Sequence, residues 1–303
     1  MRSLHRTHGH MDADKWFDWI NIVLASLVLI VVLYPLVYIL SASFSDPFEV
    51  AGGRMWLWPV RVTLEGYERL FSYREIWQGY MNTILYTVGG TMLSLVLTLP
   101  CAYALSRKDF IGRGVLMTMV MITMFISGGL IPTYINIRNL GLLDSRTLMY
   151  ISGATGAFNL IVSRTFFAST IPMELQESGR IDGCSNVRLF TQIVLPLSKP
   201  IIAVMAMYFG VARWNEYFVP MIYLKTRALF PLQLFLREIL IQSQVAAEMI
   251  SDIELAESLA ARARISAMVK YTSIIISTIP MLILYPFLQR FFIKGVMIGA
   301  IKG

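Results

Sequence analysis

Five stretches of this 303-residue chain, 20–40, 76–106, 114–137, 147–163 and 271–289, contain no Asp, Glu, Lys or Arg. Nothing else in the sequence limits the fold as strongly. A helix needs about 20 residues to cross about 30 Å of hydrocarbon, so runs of this kind are candidates to span a bilayer. A sixth apolar stretch, 200–224, is interrupted by Arg213 and Glu216. The expected fold is an all-α membrane protein with six transmembrane helices. Composition agrees: 56% of residues are hydrophobic and 15% are charged, against roughly 25% charged in an average soluble domain. A disordered chain, a disulfide scaffold and an ordinary nucleic-acid-binding module are excluded. Cys101 and Cys184 form no CxxC and give no zinc or disulfide pattern.

Six spans place both ends of the chain on one side. The short linker after the second span holds Arg107, Lys108 and Arg113, and basic short loops face the cytoplasm. Both termini are therefore expected to be cytoplasmic, with 1–15 a basic tail. The net charge of +7 would suggest nucleic acid in a soluble protein; here it reads as a topology signal, and no nucleic-acid partner is expected. The basic start followed by an apolar run could pass for a signal peptide, but 20–40 is too long for the apolar core of one, so the first span is read as uncleaved. Residues 46–78, 138–146 and 225–270 face outward. The second half of the last of these, 242–270, has helical apolar spacing and suits either a surface lid or the docking of an external protein. Gly89, Gly90, Gly153 and Gly156 are expected as close-packing positions between helices.

The segment 171–200 does not belong to the bilayer. Pro172 can start a helix and Glu174 suits its first turn. Gly183 permits a sharp change of direction. Ser185 can cap a second helix, which Pro196 is expected to end. Val187, Phe190, Ile193 and Val194 would form one apolar stripe along it. The result is a helix–turn–helix outside the membrane.

The order of residues in that segment carries a resemblance. Glu177, Asp182-Gly183, Phe190, Ile193, Leu195-Pro196 and Pro200 resemble the EAA loop of ABC-importer permeases. Ser178, Gly179 and Cys184 replace that pattern's alanines with other small residues. Gly128-Gly129-Leu130-Ile131-Pro132, Trp214-Asn215 and the ending from Tyr285 to Gly303 resemble the shorter, six-span subunit of the carbohydrate-uptake branch. The likeness covers about residues 15–303. It implies one transmembrane domain over 16–298, a coupling loop at 171–200, an extracytoplasmic loop at 225–270 and a cytoplasmic tail at 299–303. It implies a bacterial cytoplasmic membrane, a second permease in a heterodimer, two ATPase subunits, an extracytoplasmic solute-binding protein and a carbohydrate cargo. Glu177, Asp182, Gly183, Phe190, Ile193 and Pro196 would couple this chain to the ATPase. With no GxxxxGK[ST], the chain is expected to hold no cofactor and to be no enzyme; ATP and Mg2+ belong to the partner.

Arg213 and Glu216 are charges deep in a span, where charge is costly and faces a pathway or a partner. They stand three apart and could pair on one helical face. Arg213, Trp214, Asn215, Glu216 and Tyr217 either line the sugar path or lock two permeases together. Asn82, Tyr86, Asn159 and Tyr208 lie within spans and offer the planar and aromatic groups that sugars need; each alone reads first as a packing residue. The basic outer residues keep an acidic oligosaccharide open. A gradient-driven secondary transporter or channel is the alternative, but no internal repeat and no paired intramembrane carboxylates support it. A membrane-embedded enzyme lacks its constellation, having no HExxH.

Overall fold

The computed structural model describes residues 8–248 and 267–286, and every regular element among them is helical. They form two compact units: residues 8–72 with 239–248 and 267–276, and Tyr73–Glu238 with 277–286.

In the first unit α1 runs from His8 to Ser43, so the helix begins inside the segment read as a tail. Trp19, Leu24, Leu27 and Ile30 leave its apolar surface open, as suits a helix surrounded by lipid. α2 (Pro47–Ala51) starts where the carboxylate of Asp46 accepts the Phe48 N–H, with a proline in the first turn. α3 (Glu65–Ser72) follows. Ala42, Val50 and Met55 make a small core with Tyr38, Val60 and Tyr271. Buried Glu49 is met by Arg54 and Arg61, which answers the cost of a buried charge.

The second unit is built on α4 (Arg74–Ser106). Next come α5 (Arg113–Phe125), α6 (Leu130–Asn139), α7 (Arg146–Ile151), α8 (Ala157–Thr170) and α9 (Met173–Ile181). α10 (Asn186–Leu189), a π-helical turn at Phe190–Val194 and α11 (Leu195–Leu197) lead into α12 (Lys199–Trp214). α13 (Phe218–Tyr223), a 3-10 turn at Arg227–Leu229, α14 (Leu232–Glu248) and α15 (Ala267–Pro286) complete the described chain. Leu99, Ala102 and Tyr103 of α4, Phe167 of α8, and Ile201, Met205 and Phe209 of α12 form the core.

Among the described residues, three helices are long and apolar enough to cross a membrane: Lys15–Ser43, α4 and α15. Two further apolar stretches are bent pairs, α5 with α6 at 114° and Asn186–Leu197 with α12 at 83°. The run 147–163, expected as one span, is two helices separated by residues 152–156. Gly153, expected to serve packing, instead turns the chain there with φ +64 and open space around its missing Cβ. Gly89 and Gly90 do serve packing. A Cβ on Gly89 would lie 2.7 Å from the Tyr150 ring, and one on Gly90 would strike the Arg213 guanidinium. In 200–224 the helix stops at Trp214 and restarts at Phe218. The stretch 242–270 continues α14 only to Glu248 before leaving the described residues, as do 1–7 and the ending 287–303.

Candidate functional site

The helix–turn–helix forms as its residues demand. Pro172 precedes α9, and Glu174 lies in its first turn. Gly183 turns the chain at φ +74. The Ser185 hydroxyl accepts the Arg188 N–H at 3.3 Å and caps α10. Glu177, Asp182 and Gly183 stand exposed around this turn.

The second helix differs from expectation. It does not end at Pro196 but continues to Leu197. Proline lacks an N–H and crowds the carbonyl four residues back. The preceding turn is widened into a π segment, in which the Leu195 N–H reaches the Phe190 carbonyl five residues back. That turn shifts the helical phase. Leu189 and Val194, five apart, are the buried residues, whereas Val187, placed in the apolar stripe by α-helical spacing, is 72% exposed. Phe190 is half-buried and stacks on Tyr103 of α4 at 5.3 Å; Ile193 is half-buried beside it in sequence. Gly179 has a partner within the chain, since a Cβ there would come within 2.7 Å of Leu189.

One cluster here was not singled out in the sequence. Arg107, at the end of α4 and 9% exposed, donates to both carboxylate oxygens of Asp109 at 2.9 and 2.7 Å and to Asn186 Oδ1 at 3.0 Å. Arg180, in the last turn of α9, donates to the same Asp109. Hydrogen bonds from Arg107, and then from Arg180, hold the Asp109 carboxyl well below the usual carboxylate range. These four side chains tie α4, the linker and both helices of the turn together, beside a crevice of about 550 Å3 lined by Tyr103, Phe110, Val187 and Phe190. The signal was in plain view: an aspartate directly follows Arg107-Lys108, a pair read only for topology.

Within the apolar stretch 200–224, the side chains of Arg213 and Glu216 take different hydrogen-bond partners, and the two residues are joined through the main chain, where the Glu216 N–H donates to the Arg213 carbonyl at 3.3 Å. The helix that would have put them on one face ends at Trp214. Arg213 crosses to α7, donating to the Met149 carbonyl at 2.8 Å and the Tyr150 carbonyl at 2.9 Å, and to the Ser94 hydroxyl of α4 at 3.3 Å. The break after α7 frees those two carbonyls from helical partners, and a cation at a helix C-terminus is favourable. Glu216 turns to the start of α13, where its Oε1 accepts the N–H groups of Phe218 and Val219. Arg213, Glu216, Thr83, Tyr86 and Ser152 line a cavity of about 110 Å3, small beside the roughly 300–1,000 Å3 of a drug-sized ligand site.

The remaining pathway candidates separate into two groups. Asn82 is buried, and its amide donates to the carbonyls of Ala228 and Phe230 at 2.8 and 3.0 Å. Tyr86 donates to the Leu229 carbonyl and Thr83 accepts the Leu232 N–H. One polar face of α4 thus holds the segment after α13 in place. Asp144 holds its beginning, accepting the N–H groups of Lys225 and Thr226, and the Thr226 hydroxyl bond keeps its carboxyl below its ordinary value. Arg227 reaches Glu75 and Glu238. Trp214 is buried, donates to the Ser277 carbonyl and meets Tyr80 edge-on. Tyr208, Asn215 and Tyr217, by contrast, are exposed. Asn159 is half-buried near the break at Gly156.

No protein-family model matches the chain. It is 36% identical over the full length of both chains to protein LplC of Bacillus subtilis. It is 37% identical, over 96% of its own length and 99% of the other, to the polygalacturonan/rhamnogalacturonan transport system permease protein YtcP of the same organism. Among solved structures, a chain of a bacterial ABC transporter involved in the import of the acidic polysaccharide alginate superposes with a TM-score of 0.81 at 33% identity, covering 96% of this chain and all of that one.

Proposed function

This chain belongs to the permease family of sugar-importing ABC transporters, and from that premise we propose that it is the six-span subunit of a binding-protein-dependent importer of acidic oligosaccharides. It carries sugar or oligosaccharide across a membrane, and ATP hydrolysis occurs on a separate subunit. The six spans are α1, α4, the bent pair α5–α6, the broken pair α7–α8, α12 with α13, and α15. Both termini face the cytoplasm of a bacterial cell, and 16–298 acts as one transmembrane domain. A second permease completes the pathway, two ATPases drive it, and an extracytoplasmic binding protein delivers the cargo to 225–270. This chain holds no cofactor and performs no chemistry of its own. An acidic cargo is supported by the polygalacturonan and alginate named for two of the relatives.

The observation that carries the coupling part is the exposed turn at Glu177, Asp182 and Gly183, standing off the spans while Leu189, Phe190 and Val194 root it in the protein. Rigid rooting with an exposed tip suits a helix that enters a cleft of the ATPase and transmits its closure as a rigid-body movement. The sugar path runs along exposed Tyr208, Asn215 and Tyr217, with Arg213 and Asn82 holding its wall. Proteoliposomes carrying the four partner subunits should take up oligogalacturonate with ATP only when this chain is present. Glu177→Lys and Gly183→Asp should leave the permease in the membrane but abolish co-purification of the ATPase; unchanged co-purification would refute the coupling assignment.

A further inference from the structure

The coupling turn is tied to the spans by more than apolar packing, and the polar tie has a particular shape. Asp109 lies in the linker between α4 and α5, outside both helices. It accepts from Arg107, which caps the end of α4, and from Arg180, in the last turn of α9. Arg107 also reaches Asn186, the first residue of α10. The turn at Gly183 is therefore held on both sides, by Arg180 before it and Asn186 after it, and both holds converge on the end of α4. The apolar contacts of the same helices, Phe190 on Tyr103 and Leu189 on Gly179, help to root the turn, but apolar burial is non-directional and does not by itself fix the direction of movement. A forked guanidinium on a carboxylate has a fixed direction and cannot slide without breaking. α4 in turn packs on α8 and α12 and carries, through Gly90 and Ser94, the contact with Arg213.

We propose that Asp109 is a positioning residue of the transport cycle: by bracketing Arg107 and Arg180 it makes the coupling turn and the end of α4 move as one body, so that displacement of the turn is delivered to the spans. The inference rests on the coupling assignment above. Asp109 touches neither cargo nor nucleotide; it acts through the two arginines. A bracket that served stability alone would affect how much protein folds, not how much sugar each ATP moves.

The test uses the full transporter in proteoliposomes with oligogalacturonate. Asp109→Asn should retain the bound ATPase while sugar imported per ATP hydrolysed falls about tenfold, within the range typical of a coupling free energy between two sites. Asp109→Glu should restore most of it. A second readout needs no cargo. In a Cys184→Ser/Ser178→Cys background, spin labels on exposed Cys101 of α4 and at exposed position 178 of α9 should keep one narrow separation when ATP binds. With Asp109→Asn that separation should change or broaden on ATP binding. Normal import per ATP, or an unchanged separation in Asp109→Asn, would overturn the proposal. If Glu177→Lys also fails to release the ATPase, the coupling assignment falls and this inference with it. If Glu177→Lys releases the ATPase while Asp109→Asn imports normally, the role of Asp109 alone is refuted.

Discussion

Arg107 and Arg213 both close on α4, one at its end and one midway along it, and each is neutralised by different chemistry. Arg107 meets a carboxylate at the edge of the apolar region. Arg213 meets two main-chain carbonyls and a hydroxyl. Near water a full counter-charge is inexpensive to desolvate in part. In the apolar interior a second ion would add its own desolvation penalty, which can exceed the attraction gained. Carbonyls released by a broken helix supply negative dipole without that penalty. The break after α7 and the charge on α12 are thus two halves of one arrangement: the freed carbonyls accept from the two Nη groups of the guanidinium. It is the usual solution for interrupted helices in lipid, where freed backbone groups must find partners inside the protein.

The most severe way to break this comparison is to remove the interior cation. Arg213→Met leaves the Met149 and Tyr150 carbonyls without donors, and should lower stability by about 3 kcal/mol. The unfolding midpoint in detergent and the amount of protein recovered from membranes should both fall. Arg213→Lys should fall between the two, because an ammonium lacks the planar fork that reaches both carbonyls. An unchanged midpoint for Arg213→Met would show that the break holds itself.

A second change reaches the same contact from the other side. Gly90 leaves no room for a Cβ beside the guanidinium. Gly90→Ala should therefore cost about 2 kcal/mol through overpacking. The test of cause is the double variant: with Arg213→Met already present the obstruction is gone, so Gly90→Ala should then have almost no effect. Equal losses in the two backgrounds would mean that the alanine acts elsewhere, for example on helix packing around Ser94.

How much of this was legible in the sequence follows from which groups do the work. Charge-free runs announced the helices, and Pro172, Gly183 and Ser185 announced the turn, because those residues act locally. Arg213 was conspicuous as a charge in an apolar run, but its partners were not, since main-chain carbonyls carry no sequence signature. The spacing to Glu216 suggested a pair only on the assumption that the helix continued. Val187 was misplaced because the π turn before Pro196 shifts the phase, and a strict 3.6-residue period cannot register that. Asn82 and Tyr86 offer by type the groups that sugars need, but within the chain they bind carbonyls 143 to 148 residues away, partners that local sequence cannot announce. Asp109 looked like an ordinary loop acid; its importance comes from Arg180, 71 residues on.

The smallest expected effect sharpens the comparison from the pH side. Asp109 is held below its ordinary value of 3.8 in the folded protein. A depressed carboxylate contributes stability that is complete above the unfolded value and is lost as pH falls through the folded one. Between pH 8 and pH 5 the bracket around Arg107 should therefore contribute a constant amount. The difference in unfolding midpoint between the parent and Asp109→Asn should stay flat over that interval and begin to narrow only below the ordinary carboxylate value. The Arg213 hydrogen bonds go to two carbonyls and a hydroxyl, so any acid narrowing between the parent and Arg213→Met should be weaker than for Asp109→Asn, entering through the Glu216 carboxylate that lines the same cavity. A gap for Asp109→Asn that closes already at pH 6 would mean that a group titrating near neutrality, not this carboxylate, sustains the bracket.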